Sequence, residues 1–390
     1  MDDRLWTLRD AGGGATQFAV RNHNERIVLA LIRAEGTIAS ADIARATNLS
    51  AQTASVITRA LENEGFIKRG DPVKGKVGKP MVPFEIDPAG VVSFGLRIGR
   101  RSADFTQIDL RGGVRGHAEV TYAYPTPAII SDFVGRGLDG LPTPRDTSRV
   151  AGLGIGSPFE LWNWLELLDA NSDDMNLWRD FDLTRDLADV TDLPVRLGND
   201  INMSAFGELH FGNPRGLSDF AYFYVGSLGG GGVIMDGRLL EGPTRNAGAF
   251  GSLPIYTETG GHSQLNRQAS IYLLERRAQD AGHDPDRLWQ DAGEWGRLGP
   301  ILEDWLWGTA EAFAAGIVAV TAVLDLPFVV IDGSVPSAVR ADLTERVVTA
   351  LTHQDHRGIA VPEVVEGSLG RLAGAYGAAH KPLASRYLLD

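Results

Sequence analysis

Asn199 and Asp200 follow a short strand-like run, Val195-Arg196-Leu197-Gly198, and open residues 201–211, which have helical periodicity. A carboxylate at such a turn can orient a hydroxyl group and accept its proton, and a neighbouring carboxamide can donate to and accept from sugar hydroxyls. An Asn-Asp pair after a strand is also an ordinary helix N-cap, so both readings stand on the pair alone. Gly156-Ser157 closes a second buried run, residues 150–155, and so offers another polar loop at a strand end. Ser227 to Gly232 reads as a glycine-rich turn whose backbone amides could nest an anion, a weak signal by itself. Three arginines, Arg97, Arg100 and Arg101, crowd another turn. They read either as surface cations paired with carboxylates or as a new anion site. Strand alternation sends Arg97 to the face opposite Leu96 and Ile98. The chain has no cysteine, which excludes thiolate nucleophiles, disulfides and sulfur-ligated zinc. Its eight histidines are scattered, and a lone one such as His262 reads as solvated or hydrogen-bonded. No metal site is expected.

A different chemistry belongs to the first ninety residues. Residues 51–64 place Ala54, Ile57 and Leu61 on one helical face and Gln52, Thr53, Ser55 and Arg59 on the other. Small hydrogen-bonding side chains on an exposed helix suit base edges. Upstream, residues 24–34 form a helix ended by Gly36, Thr37-Ile38-Ala39 is extended, Ser40 caps a second helix over 41–47, and Ser50 caps the third after the Asn48-Leu49 turn. Downstream, residues 66–69 and 82–86 read as two strands around a loop holding Lys74, Lys76 and Lys79. Helix, short helix, turn, longer helix and basic hairpin is the order of a winged helix-turn-helix, with Lys76 and Lys79 on the wing meeting phosphate or minor groove. A three-helix packing unit without nucleic acid is the competing reading.

Those two chemistries need a scaffold of more than one domain, and 390 residues at 43% hydrophobic and 22% charged supply it. Charge is uneven: net −13 overall, yet residues 1–90 carry 12 basic and 11 acidic side chains. An acidic body with a locally basic head suits a protein that presents one end to a polyanion. The longest nearly uncharged stretch, residues 312–324, is shorter than the ~20 residues a bilayer needs, and no signal-like run follows the acidic opening. No membrane partner and a cytoplasmic location are therefore expected. From Val91 strands alternate with helices, which implies an α/β body with ligand loops at strand ends; no repeats are evident.

Head and body together resemble the ROK family (repressors, open reading frames and kinases). The resemblance runs from residues 17–24 to Gly374-Ala375-Tyr376-Gly377-Ala378-Ala379. Its most specific parts are Gly198-Asn199-Asp200-Ile201-Asn202 with Glu208, and Gly226 to Gly232 followed by Asp236-Gly237-Arg238-Leu239 and Gly242. Val77-Gly78-Lys79-Pro80 resembles the wing tip of the family's repressors, usually Gly-Gly-Arg-Pro. In the family's kinases the residue matching Asp200 takes a proton from a sugar hydroxyl during phosphoryl transfer from ATP. The departures lie on the nucleotide side. Asp-x-Gly-Gly-Thr of the kinases is Arg97-Ile98-Gly99-Arg100-Arg101 here, Leu228 replaces a glycine of the second phosphate loop, and Gly-Glu-Ile-Gly-His-x-Pro is Gly248-Ala249-Phe250-Gly251-Ser252-Leu253-Pro254. A magnesium ligand, a sugar-binding carboxylate and a histidine are gone, and His262-Ser263-Gln264-Leu265-Asn266 stands where a cysteine-rich segment is usual.

The resemblance implies an α/β chain: an N-terminal winged helix-turn-helix over 1–88, then a two-lobed actin-like (hexokinase-type, ribonuclease H-like) body. Its first lobe spans 89–198 with 376–390 returning to it, and its second spans 199–375. The expected ligand cleft holds Gly156, Ser157, Asn176, Asn199, Asp200, Glu208 and Asn266, and the expected DNA surface holds Gln52, Thr53, Ser55, Arg59, Lys76 and Lys79. The function implied is a DNA-binding regulator, of repressor type, answering to a sugar or similar small polar ligand and acting on operator DNA as a homodimer or homotetramer without a cofactor. An ATP-dependent sugar kinase is the alternative.

Overall fold

The computed structural model describes residues 23–389 except 73–80, 143, 145, 164–169, 214 and 257–260, so the wing tip with Lys76 and Lys79 lies outside the described residues. The head is built of α1 (His23–Glu35), β1 (Thr37–Ile38), α2 (Ser40–Thr47), α3 (Ala51–Asn63), β2 (Ile67–Arg69) and β3 (Phe84–Ile86), with sheet order β1-β3-β2. Val28, Leu29, Ile32, Ile43, Ala54, Ile57 and Leu61 bury their side chains together, as the helical spacing requires. Asn48 makes the turn in the left-handed region at φ 54°, which asparagine tolerates. Ser50 caps α3 by accepting from Thr53 N–H at 3.0 Å. Ser40 does not cap α2 as expected: Ala39 holds that position with no side-chain bond, and Ser40 is the first helical residue.

In the body, β4 (Val92–Ile98), β5 (Ser102–Asp109), β6 (Val114–Thr121), β7 (Val150–Ser157) and β8 (Val195–Asn199) form a sheet of order β6-β5-β4-β7-β8. Taking helices of eight residues or more, α4 (Pro127–Gly140) and α5 (Ser172–Asp180) belong to this lobe. After α6 (Asp200–Phe211) come β9 (Phe220–Val225), β10 (Gly229–Met235), β11 (Arg238–Leu239), a small hairpin of β12 (Pro254–Tyr256) and β13 (His262–Gln264), α7 (Ile271–Asp280) and α8 (Pro300–Leu324). Then β14 (Phe328–Gly333), α9 (Ser337–Leu351), β15 (Glu363–Glu366) and α10 (Ala373–Tyr387) complete the chain. The second sheet runs β11-β10-β9-β14-β15. Both sheets therefore have one order, three antiparallel strands followed by two parallel ones, an internal repetition invisible in the residues. Helix α8 is long and apolar enough by composition to cross a membrane, yet its Trp305, Phe313 and Ile317 lie in the core with Phe223 and Val329.

Helices α6 and α10 meet backbone to backbone between the lobes. A Cβ on Gly377 would sit 1.8 Å from the Met203 carbonyl oxygen, and one on Gly154 of β7 would sit 1.8 Å from that of Ala378, so only glycine allows this approach. The same α10 joins the head to the body. Ala379, Leu383, Tyr387 and Leu388 share one apolar cluster with Val28, Leu29, Ile32 and Phe66, and Arg26 donates to the Ala384 carbonyl at 3.0 Å. Head and body thus have a common core, not a bare linker.

Candidate ligand cleft and nucleic-acid interface

Parallel pairing of β7 with β8 sets Gly156 beside Gly198 and Ser157 beside Asn199, so Asn199, expected to open the second lobe, ends a strand of the first sheet, and Asp200 follows it as the first residue of α6. Asn199 does two jobs. Its Oδ1 caps α6, accepting from Ile201 N–H at 2.9 Å and Asn202 N–H at 3.1 Å. Its Nδ2 is then oriented to donate to Asn246 Oδ1 of the second lobe at 3.3 Å. Asp200 is buried, and that burial pushes its carboxyl up to about 6, against the pull of Arg97 and of backbone N–H groups. Asn202, the third residue of α6, is buried against Gly232 with both carboxamide atoms unpartnered. An unmet buried polar group costs about 1–3 kcal/mol.

Beside these strand ends lies the arginine turn, where Arg97 and Arg100 are buried and only Arg101 is partly exposed. Arg97 is 7% exposed and reaches Asp104 at 3.4 Å, on the sheet face covered by Gly374 and Ser204. Burial works against its charge, but Tyr224, Asp104 and Asp200 outweigh that and keep it firmly protonated. Arg100 crosses to the second lobe, donating to Glu275 at 2.6 Å and stacking 4.9 Å from the Tyr272 ring centroid. Arg101 follows with Glu275 at 3.3 Å and Asp286 at 2.5 Å, and Glu275 also accepts from Trp289 Nε1 at 2.6 Å. Helix α7, which carries Tyr272 and Glu275, starts on the second glycine loop: Ile271 N–H donates to the Gly226 carbonyl at 2.9 Å and Tyr272 N–H to that of Ser227 at 3.2 Å. The arginine turn and the second glycine loop are therefore linked through α7.

Other expected residues are placed elsewhere. Gly229 to Gly232 are not a turn but strand β10, their backbone paired with Tyr222 to Val225, which removes the expected anion nest. Only Gly226 to Leu228 turn the chain, with Gly226 N–H donating to the Leu228 carbonyl at 3.3 Å. Glu208 sits about 12 Å further along α6 than Asp200 and is used by Ser368, whose N–H and hydroxyl both donate to it at 3.1 Å. Asn266 is buried with Oδ1 unpartnered, near Gly251 and Gly229 on the face of β10 opposite the one that receives Ile201 and Asn202. Asn176 is exposed on α5, and His262 is exposed beside the Tyr256 ring. Among the described residues no group of three or more His, Asp or Glu side chains is arranged to hold a metal ion.

At its far end α6 meets the head. His210 and His380 stack with ring centroids 4.3 Å apart, and Arg33 of α1 donates to His380 Nε2 at 3.4 Å while lying over Phe211. Burial, aided by Arg33 and Lys381, lowers His210 to about 3, so the joint is neutral on the histidine side. Burial also lowers Arg33 to about 10, with Asp109 opposing. One helix of about 18 Å thus carries Asp200 at its start and His210 at its end.

On the head, Gln52 and Arg59 are exposed on α3. Thr53 and Ser55 are half-buried, and Thr53 Oγ1 lies 2.8 Å from the capping Ser50 hydroxyl. Two nearby cations are used internally: Arg69 donates to Glu62 at 2.8 Å and Lys68 lies 3.2 Å from Glu85. The sequence reading missed Asn246, Glu275, Arg33 and the exposed Val56. Only Val56 had a local signal, an apolar residue one turn beyond Gln52.

Comparison with known proteins agrees with this geometry. A winged helix-turn-helix DNA-binding profile matches residues 21–68. The bifunctional enzyme NanE/NanK of Brucella melitensis biotype 1 is 30% identical over 60% of this chain, which spans only 41% of that protein's length. The transcriptional regulator Mb0495 of Mycobacterium bovis is 28% identical over 62% of this chain and 56% of its own. A crystal structure of a ROK family transcriptional regulator, homologue of the E. coli MLC protein, superposes with a TM-score of 0.68 at 18% identity over 95% of this chain and 98% of that one. The ROK family profile itself covers residues 93–383, three quarters of the sequence and both lobes, and the chain belongs to the ROK family.

Proposed function

We propose that this chain is a DNA-binding transcriptional regulator, of repressor type, whose grip on operator DNA is set by a small polar, sugar-like ligand between the lobes. It acts as a homodimer or homotetramer, since paired heads read paired half-sites. The observation that carries the reading is α6, which runs from Asn199 and Asp200 between the lobes to His210, stacked on His380, and Phe211, under Arg33 of the head. A guest that displaces Asn246 from Asn199 changes how the lobes sit on α6, and the common core with α10 transfers that change to the head.

Phosphoryl transfer is not part of the proposal. The residues present do not fit a magnesium nucleotide: where the family's kinases place an aspartate and small residues, Arg97, Arg100 and Arg101 stand, and the latter two are ion-paired across the cleft. Asp200 alone favours the kinase alternative, because a buried carboxyl near 6 is a competent base.

The test starts from a duplex enriched from a random library by the full-length protein. Its affinity is titrated by fluorescence anisotropy against a panel of neutral sugars and polyols. A compound that shifts the affinity at least tenfold, with the shift abolished in Asn199→Ala, supports the reading. Magnesium-dependent phosphorylation of a sugar by ATP, lost in Asp200→Asn, would replace it with the kinase.

A further inference from the structure

We propose that Val56 recognises the 5-methyl group of a thymine in the major groove and so fixes one position of the operator, an inference that rests on the DNA-binding reading of the head. Val56 is 58% exposed in the middle of α3, where the fold gains nothing from it. A β-branched residue forms helix less readily than alanine or lysine, and exposed apolar surface adds no packing. Its neighbours give it a context. Gln52 lies one turn before it and Arg59 nearly one turn after, so the three occupy one stripe at the i, i+4 and i+7 spacing. Helix α3 follows the tight turn at Asn48, which is the position of the recognition helix in a helix-turn-helix, and its early residues are those that reach base edges.

The stripe matches the chemistry of the major groove. A glutamine carboxamide pairs with the N6 and N7 edge of adenine, an arginine with guanine or phosphate, and the apolar group that the major groove offers is the thymine methyl. Valine has a restricted side-chain torsion, so its two methyls are held in place without the entropy loss a longer side chain would suffer on docking. Removing the thymine methyl leaves base pairing intact and takes away one buried apolar contact. At the usual value per buried carbon, that is about fourfold in affinity.

The experiment uses the full chain and the enriched duplex, resynthesised with deoxyuridine in place of thymine at one position at a time. One position in each half-site should weaken wild-type binding about fourfold, and the same replacement should leave Val56→Ala unaffected. Val56→Thr, which keeps one methyl, should retain part of the discrimination. Equal wild-type affinity for every uridine duplex, or a uridine effect undiminished in Val56→Ala, would overturn the assignment while leaving DNA binding in place. Failure to enrich any duplex would instead sink the DNA-binding reading, and this inference with it. Val56→Ala should melt at or slightly above the wild type, because the side chain it trims is mostly in solvent and alanine forms helix more readily than valine.

Discussion

Arg100 in one lobe and Glu275 in the other form an ion pair of 2.6 Å with side-chain exposures of 8% and 4%. Buried pairs of this kind add little to stability relative to apolar residues but are costly to break singly, because the remaining charge stays out of water. Arg101, Asp286, Tyr272 and Trp289 surround the pair, so the lobes are joined by this polar cluster and by the close packing of α6 and α10.

Glu275→Gln tests that junction. Glutamine keeps an acceptor for Trp289 and nearly the same shape, but it strips the charge that faces two arginines. The variant should lose about 2–4 kcal/mol of stability and show a larger radius of gyration by X-ray scattering as the lobes part. Unchanged scattering together with an unchanged urea midpoint would show that the pair does not hold the lobes.

Asp200 makes an opposite prediction. Its folded pKa of about 6 lies above the ordinary carboxyl value, so its ionised form is disfavoured by folding at neutral pH and the strain is relieved as pH falls through 6 toward 4. Asp200→Asn removes that strain. The variant should be more stable than wild type by ~1–3 kcal/mol at pH 7, with the difference shrinking at pH 5. A urea midpoint that drops at pH 7 would show that Asp200 is held by favourable contacts instead.

The extent to which the residues foretold this arrangement differs by region. The head was legible because its helices have a single apolar face and α3 has a polar cap, although the cap expected of Ser40 is absent: Ser50, Asn48 and the spacing of Ala54, Ile57 and Leu61 each act locally. The pairing of Ser157 with Asn199 was half legible, since two buried runs ending in polar loops imply parallel strands. The run Gly229 to Gly232 was misread because glycine signals turns; here it is the strand β10, and a Cβ on Gly231 would come within 2.1 Å of the Phe250 ring. Glu275 and Asn246 were beyond reach. Each gains its role from a partner more than forty residues away, and nothing in a local pattern fixes that approach.

His210 and His380 should give the chain an acid-sensitive joint. Both are held neutral in the folded state, His210 near 3 by burial with Arg33 and Lys381 adding to it, and His380 well below its usual value by burial with His210, Arg33 and Lys381 adding. The unfolded chain binds protons at these residues below about 6.5, so each histidine removes stability as pH falls from there, at ~1.4 kcal/mol per pH unit. His210→Phe keeps a ring against Phe206 and His380 and should flatten the acid limb between pH 6 and 4 by that slope. An identical pH profile in the variant would remove His210 from the account.

Arg59 and Gln52 should separate affinity from specificity on the same helix. Arg59 is exposed on α3, three residues beyond Val56, where a long cation reaches phosphate more readily than a base edge. Arg59→Ala should weaken all duplexes alike and reduce the slope of log affinity against log salt by about one unit, the signature of one lost phosphate contact. Gln52 is exposed at the second residue of α3, where a carboxamide can make two bonds to one adenine. Gln52→Ala should leave the salt slope unchanged and relax preference at one position of each half-site, about tenfold against the best base. Selection from a random library reads both effects at once. If Arg59→Ala changed the selected sequence and Gln52→Ala changed only the salt slope, the roles would be reversed, and α3 would enter the groove rotated by part of a turn from the stripe that Gln52, Val56 and Arg59 define.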